Sequence, residues 1–477
     1  MFKETIQKFL PKNQFARGVS VLVGGTFGAQ VLMILISPLL TRLYSPSDFG
    51  LLAIYIGILN LFTVVASLRY QLAIPLPESD EEAAHITLLS LFILFFITFL
   101  SCGIVFFAGT ELANLIGIPQ ITKYIWLLPL GILFGGGYQI FNYWAIRTKS
   151  FGNIANTKIK QSLVSAFIQV TAFKMGGGAL LFGHASGQGI GVNALMQPFF
   201  KSKFYKGWTF NKLKKVALRY KAFPIFSTWA SLFNTAGSQL PPILFAVLFS
   251  PAIAGLYALT NRVLASPALL IGNAIGNVFH ANAAENYREG KLQKLFENVL
   301  DKLAMIAMPM MVCLVLAAPQ LFSLIFGEKW ADAGIYAQFM SVWLSMVFIA
   351  SPLSILFTVL EEQKIGLFFQ SLMLFVRLIV IYIGYLYKDI ILAVMLFSLS
   401  SAFLWFGFLI WAAQKSGSNS LMVLRILFSR LMFALFSFLP LLVVTLFQIT
   451  SQIWWLCLVL SLAFLAGYLF KELRKVY

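Results

Sequence analysis

Charge is what this sequence has least of. Only 11% of its 477 residues are charged, against about a quarter in soluble proteins, and that scarcity excludes a water-soluble enzyme of this length. Cysteine and histidine are rarer still, at three each. Cys102, Cys313 and Cys457 sit among apolar neighbours such as Phe, Leu and Val; without metal-ligand spacing they read as small core residues, not as a disulfide frame. The scattered histidines form no ligand set and HExxH is missing, so no metal is expected. G-x-x-x-x-G-K-[ST] is missing too, which excludes ATP hydrolysis by a P-loop. No catalytic residue and no cofactor emerge from this reading.

What the sequence does have is apolar bulk. Sixty per cent of the residues are hydrophobic, 48 of them Phe, and mean hydropathy is +0.85. Apolar runs of about 20 residues, the length that crosses a bilayer as helix, recur from end to end. They are too long for barrel strands and lack the alternation of period two. The reading is an all-α polytopic membrane protein with about fourteen transmembrane helices.

The net charge of +18 then points to cytoplasmic loops and not to nucleic acid. An even number of spans puts both termini in the cytoplasm. On that topology only Arg42, Lys123, Lys329 and Lys388 face the opposite side, Lys174, Arg262 and Arg377 fall inside spans, and the remaining basic residues are cytoplasmic. The N-terminal stretch MFKETIQKFLPKNQFAR is basic, mildly amphipathic and lacks a small-residue cleavage site, so the first helix is expected to act as an uncleaved start-transfer signal.

The expected organisation is a cytoplasmic amphipathic tail at 1–17, a six-helix lobe at 18–200, a basic cytoplasmic linker at 201–222, a second six-helix lobe at 223–412, and a helical hairpin with tail at 413–477. The linker, dense in lysine from Lys201 to Lys221, reads as a topogenic segment beside anionic lipid head groups. A weak repeat supports two lobes: Leu43-Tyr44-Ser45-Pro46-x-x-x-Gly50-Leu51 returns as Leu248-Phe249-Ser250-Pro251-x-x-x-Gly255-Leu256. Ser-Pro there turns the chain and starts a helix. Halves joined after an even number of spans point the same way, an arrangement familiar in transporters. The expected fifth and sixth spans are 160–182 and 184–200, with the glycines of 176–178 permitting close approach or local hinging.

All 17 acidic residues fall in loops or near the ends of apolar runs, so the spans are expected to offer no carboxylate for an ion pair. Yet Lys174, Arg262 and Arg377 lie within runs, and Arg69 near the end of one. A cation at the bilayer centre costs about 2.5–3.5 kcal/mol on insertion scales. Such residues either snorkel or line a wet cavity that meets an anion. Asn234, Gln239, Asn261 and Asn273 suit sugar hydroxyls, being donors and acceptors at once, although amides equally hydrogen-bond helix to helix.

Two long blocks carry a family resemblance. The stretch Tyr220-x-x-Phe223-Pro224 followed by SLFNTAGSQLPPILFAVLFSPAIAGLYALTNRVLASPALLIGNAIGNVFHANAAENYREG resembles the second-half signature of bacterial polysaccharide-biosynthesis flippases. LYSPSDFGLLAIY and LRYQLAIPLPESDEEA are similar to their N-terminal signature. The family is that of the O-antigen and exopolysaccharide flippases, within the multidrug/oligosaccharidyl-lipid/polysaccharide exporter superfamily. The resemblance implies two six-helix lobes around a cationic cavity in the inner membrane. Alternating access would carry an undecaprenyl-pyrophosphate-linked oligosaccharide between leaflets, with membrane lipids, a polysaccharide polymerase and a chain-length regulator as further partners. Arg69, Lys174, Arg262 and Arg377 are the cations that fill such a cavity here. Arg262 and Arg377, one planar fork each, are expected to hold the pyrophosphate. A multidrug antiporter of the same superfamily and a membrane-embedded polymerase or glycosyltransferase are the alternatives.

Overall fold

The computed structural model describes residues 14–115, 119–447 and 451–474, and among them it contains helices and no strand. The first half runs α1 (Gln14–Leu43), α2 (Pro46–Val65), α3 (Asp80–Leu115), α4 (Leu127–Arg147), α5 (Phe151–Thr171), α6 (Gly177–Ser202) and the short α7 (Phe210–Arg219). Then follow α8 (Thr228–Leu248), α9 (Pro251–Arg288), α10 (Leu292–Phe326), α11 (Ala331–Ala350) and α12 (Gln363–Leu386). The chain closes with α13 (Ile390–Ser416), α14 (Ser420–Ser437), α15 (Leu439–Leu446) and α16 (Ser451–Arg474). Helices cover the long apolar runs, but the expected fifth span at 160–182 straddles the end of α5 and the start of α6, and most of the expected tail at 1–17 lies outside the described residues.

Among the described residues eight helices are long and apolar enough to cross a membrane. Among the described residues, the helices that fall short of that mark include α4, α5, α6 and α8. They carry the glycines from Gly177 to Gly191 and amides such as Gln139, Asn142, Gln161, Gln169 and Gln239. Polar content inside a membrane bundle is expensive and marks where function resides.

The chain divides into two compact units at Ala258 and Leu259, inside α9. In the first unit, Ser45 starts α2 through a capping box. Its side chain receives the Asp48 amide, and the Asp48 carboxylate takes the Ser45 N–H at 2.9 Å. The second copy of the motif keeps half of this device: Ser250 Oγ accepts the Ile253 amide at 3.3 Å, but Ile253 stands where Asp48 stood. The two copies pack on one another reciprocally. A Cβ on Gly50 would lie 1.8 Å from the Pro251 carbonyl oxygen, and one on Gly255 would lie 1.8 Å from that of Pro46. Only glycine lets these two backbones approach so closely.

The break between α5 and α6 differs from the one expected. It falls at the turn Phe173–Met175, closed by Gly176 at φ +60°, so both helices begin seven or more residues earlier than the sequence pattern gave. The polar stretch from Asn153 to Lys160 reads as loop but is helical. The glycines of α6 form no break: Gly187 and Gly191 meet Gln161 of α5 at contact distance. The linker helix α7 buries Leu213 and Val216 and is tied to the acidic first turn of α3, Lys212 to Glu81 at 2.8 Å and Arg219 to Glu82 at 2.7 Å.

In the second unit one apolar core runs through α10, α11, α13 and the C-terminal helices, around Phe296, Leu303, Phe408 and Phe438. Here an expectation fails. Asp301, the tenth residue of α10, is a carboxylate inside a helix pair, and Arg430 of α14 grips it with two bonds, Nε to Oδ1 at 2.7 Å and a terminal nitrogen to Oδ2 at 2.6 Å. Arg430 also donates to the Tyr468 hydroxyl at 3.2 Å. The pair ties α14 to α10, and through Tyr468 it reaches α16.

Candidate functional site

The cations expected in the membrane separate into different environments. Arg377 lies midway along α12 and is buried, at 9% exposure. Its Nε donates to Ser401 Oγ of α13 at 3.1 Å, and its guanidinium stands over Trp343 at 5.0 Å and Phe397 at 5.2 Å. This is a cage from three helices, in which two ring faces and a hydroxyl share one charge.

Arg262 is different. It is the twelfth residue of α9 and half-buried, and it makes no hydrogen bond or ion pair with any described residue. Asn261 beside it is also half-buried. The side chain of Asn273 lies outside the described residues. Directly after Arg262, Val263 and Leu264 line an apolar cavity of ≈ 250 Å³, which Pro309, Met310, Phe348 and Leu465 also line.

In the first unit Arg69 sits just beyond α2, in the left-handed region at φ +62°. It donates to Ser231 Oγ of α8 at 2.6 Å, while its Nε is buried without a partner. Burial lowers the Arg69 pKa from its ordinary value, and the neighbouring Tyr143 hydroxyl works the other way. Gln239 accepts from Asn60 Nδ2 of α2 at 3.3 Å, so at least one expected sugar-binding amide is engaged helix to helix. Asn234 is exposed on α8. Lys174, expected inside a span, is instead exposed in the Phe173–Met175 turn, because the helix break lies there.

One cation escaped the sequence reading. Lys158 is half-buried on α5, and its Nζ lies 4.6 Å from the centre of the Tyr138 ring on α4. The expected span began at 160, which counted Lys158 as a cytoplasmic loop residue. Only the earlier start of α5 draws it in. On the other side of α4, Gln139 Oε1 accepts from Gln71 at 3.2 Å, and Tyr138 Oη and Asn142 Oδ1 are buried without partners.

A family model described as polysaccharide biosynthesis protein matches residues 39–334, well over half of the chain. The chain belongs to that family. It is 23% identical over 317 residues to the succinoglycan biosynthesis transport protein ExoT of Rhizobium meliloti, a match covering 65% of this chain and 61% of ExoT. With the teichuronic acid biosynthesis protein TuaB of Bacillus subtilis it shares 26% identity over 113 residues, 24% of this chain and 23% of TuaB. Both matches span less than two thirds of the relative's length.

Among solved structures, lipid II flippase MurJ in an inward closed conformation superposes with a TM-score of 0.75 at 14% identity. That match covers 95% of this chain and 99% of MurJ. An inward-facing MATE family multidrug transporter of the MOP superfamily gives 0.57 at 14% identity, over 83% and 94%. At such identity the likeness establishes the fold: this polysaccharide biosynthesis family member is an all-helical, multi-pass membrane protein.

Proposed function

We propose that this chain is a flippase that carries an undecaprenyl-pyrophosphate-linked oligosaccharide across the bacterial inner membrane by alternating access, with both termini in the cytoplasm. The single observation that carries the reading is Arg262. A cation held within a membrane helix, with no partner among the described residues, is stabilised when an anion visits it. A pyrophosphate is an anion that an arginine fork takes bidentately. The apolar cavity that begins at Val263 supports the same substrate, since a polyprenyl chain attached to that pyrophosphate needs a dry channel beside it.

Arg377 is engaged by Ser401 and its two rings, so Arg262 is the first choice for an anion in the second unit and Arg69 in the first. Asn261 and Asn234 are the amides free to meet sugars. The multidrug alternative needs a membrane carboxylate for cationic drugs, and Asp301 is occupied by Arg430.

Deleting the gene should leave lipid-linked repeat units accumulating in the cytoplasmic leaflet, out of reach of a probe added from the periplasm. Arg262→Ala should fail to restore export at normal membrane levels. Accumulation in the outer leaflet would indicate a polymerase instead, and a changed drug-susceptibility profile without accumulation would indicate an antiporter.

A further inference from the structure

We propose that Lys158, with the Tyr138 ring and hydroxyl, forms a second anion-anchoring point in the first unit, and that its ligand is a pyrophosphate group. This rests on the reading of the chain as a carrier of a pyrophosphate-linked lipid, and deepens it by adding a residue and a place.

Lys158 is seven residues beyond the start of α5, about 10 Å along the helix at 1.5 Å per residue. It forms no ion pair and no hydrogen bond with any described residue; its contact is the Tyr138 ring. A tyrosine face recovers only part of what leaving water costs an ammonium, and half-buried Lys158 keeps an accessible side on which an anion can meet it. A structural lysine in this position would be expected to find a carboxylate or a carbonyl, as Arg430 and Arg147 do. Lys158 finds neither.

The groups around it are also unfinished. Tyr138 is 7% exposed, and its hydroxyl has no partner. One turn further along α4, the side-chain oxygen of Asn142 is buried and unpartnered too. A phosphate oxygen would accept from the Lys158 ammonium and the Tyr138 hydroxyl together, giving the charge-assisted bonds that this corner lacks. Gln139, next in sequence and therefore about 100° around the helix, points the chain of amides towards Gln71. Lys158, from α5, thus meets α4 at a place separate from the one that Gln71 meets.

The test uses the full chain purified in detergent, with farnesyl pyrophosphate, farnesol and inorganic pyrophosphate as probes. Wild type should bind farnesyl pyrophosphate far better than farnesol. Lys158→Ala should weaken that binding by about tenfold or more, the loss expected when a charged hydrogen-bonding partner is removed. Lys158→Arg should retain most of it, and Lys160→Ala, altering an exposed neighbour on the same helix, should change nothing.

A measurement on the wild type guards against misfolded variants. Farnesyl pyrophosphate should protect Lys158, and not Lys160, from an amine-acylating reagent followed by mass spectrometry. Equal protection by inorganic pyrophosphate would show that the free anion suffices; protection by the farnesyl form alone would show that the lipid is required. Unchanged affinity in Lys158→Ala, or no protection of Lys158, overturns this assignment while the flippase reading stands. Failure of the wild type to distinguish farnesyl pyrophosphate from farnesol overturns both.

Discussion

Arg377 and Arg262 belong to the same compact unit, and both lie deep in apolar helices, yet their surroundings are opposites. Arg377 has a hydroxyl acceptor and two aromatic faces within reach; Arg262 has no partner among the described residues. The contrast teaches that depth in the membrane does not define a functional cation. A buried charge supplied with ring faces and acceptors by its own helices is part of the architecture. One left unsupplied is a place where a ligand completes the fold's electrostatics. Lys158, with one ring and nothing else, stands with Arg262.

Substitutions can break or sharpen that contrast, and their effects on stability should descend in order. Arg377→Ala removes a charged hydrogen bond, two cation–π contacts and buried volume. Unfolding of the detergent-solubilised protein should show a loss of about 3 kcal/mol. Asp301→Ala strands Arg430 without its partner. Because both groups keep some exposure, 23% and 37%, the expected loss is about 1–2 kcal/mol, read as earlier release of the C-terminal helices in limited proteolysis. Ser401→Ala removes a single bond from the cage and should shift the same unfolding curve by about 1 kcal/mol. Arg262→Ala should leave stability within about 0.5 kcal/mol and abolish export in the complementation assay. If Arg262→Ala destabilises as much as Arg377→Ala, the contrast collapses and both arginines are structural.

Much of the fold was legible in the sequence. Runs of about 20 apolar residues named the helices, and Ser-Pro marked the starts of α2 and α9, where the caps indeed form. Legibility failed where polar residues are helical. Asn153, Lys158 and Lys160 look like a loop, so the start of α5 was misplaced, Lys158 was counted as a surface charge and Lys174 was drawn into the membrane. Asp301 failed differently. It stands close enough to the start of its apolar run to pass for a span end, and nothing in sequence separation ties it to Arg430.

By itself the sequence determined the class, the helices and the presence of cations within apolar runs, because hydrophobicity and length act locally on each segment. Tertiary structure alone decided which cations are answered. Partners such as Trp343, Ser401 and Asp301 are far from Arg377 and Arg430 in the chain and become neighbours only when helices pack. The same packing set Gly50 against Pro251 and Gly255 against Pro46, turning a faint repeat into a reciprocal contact between two backbones.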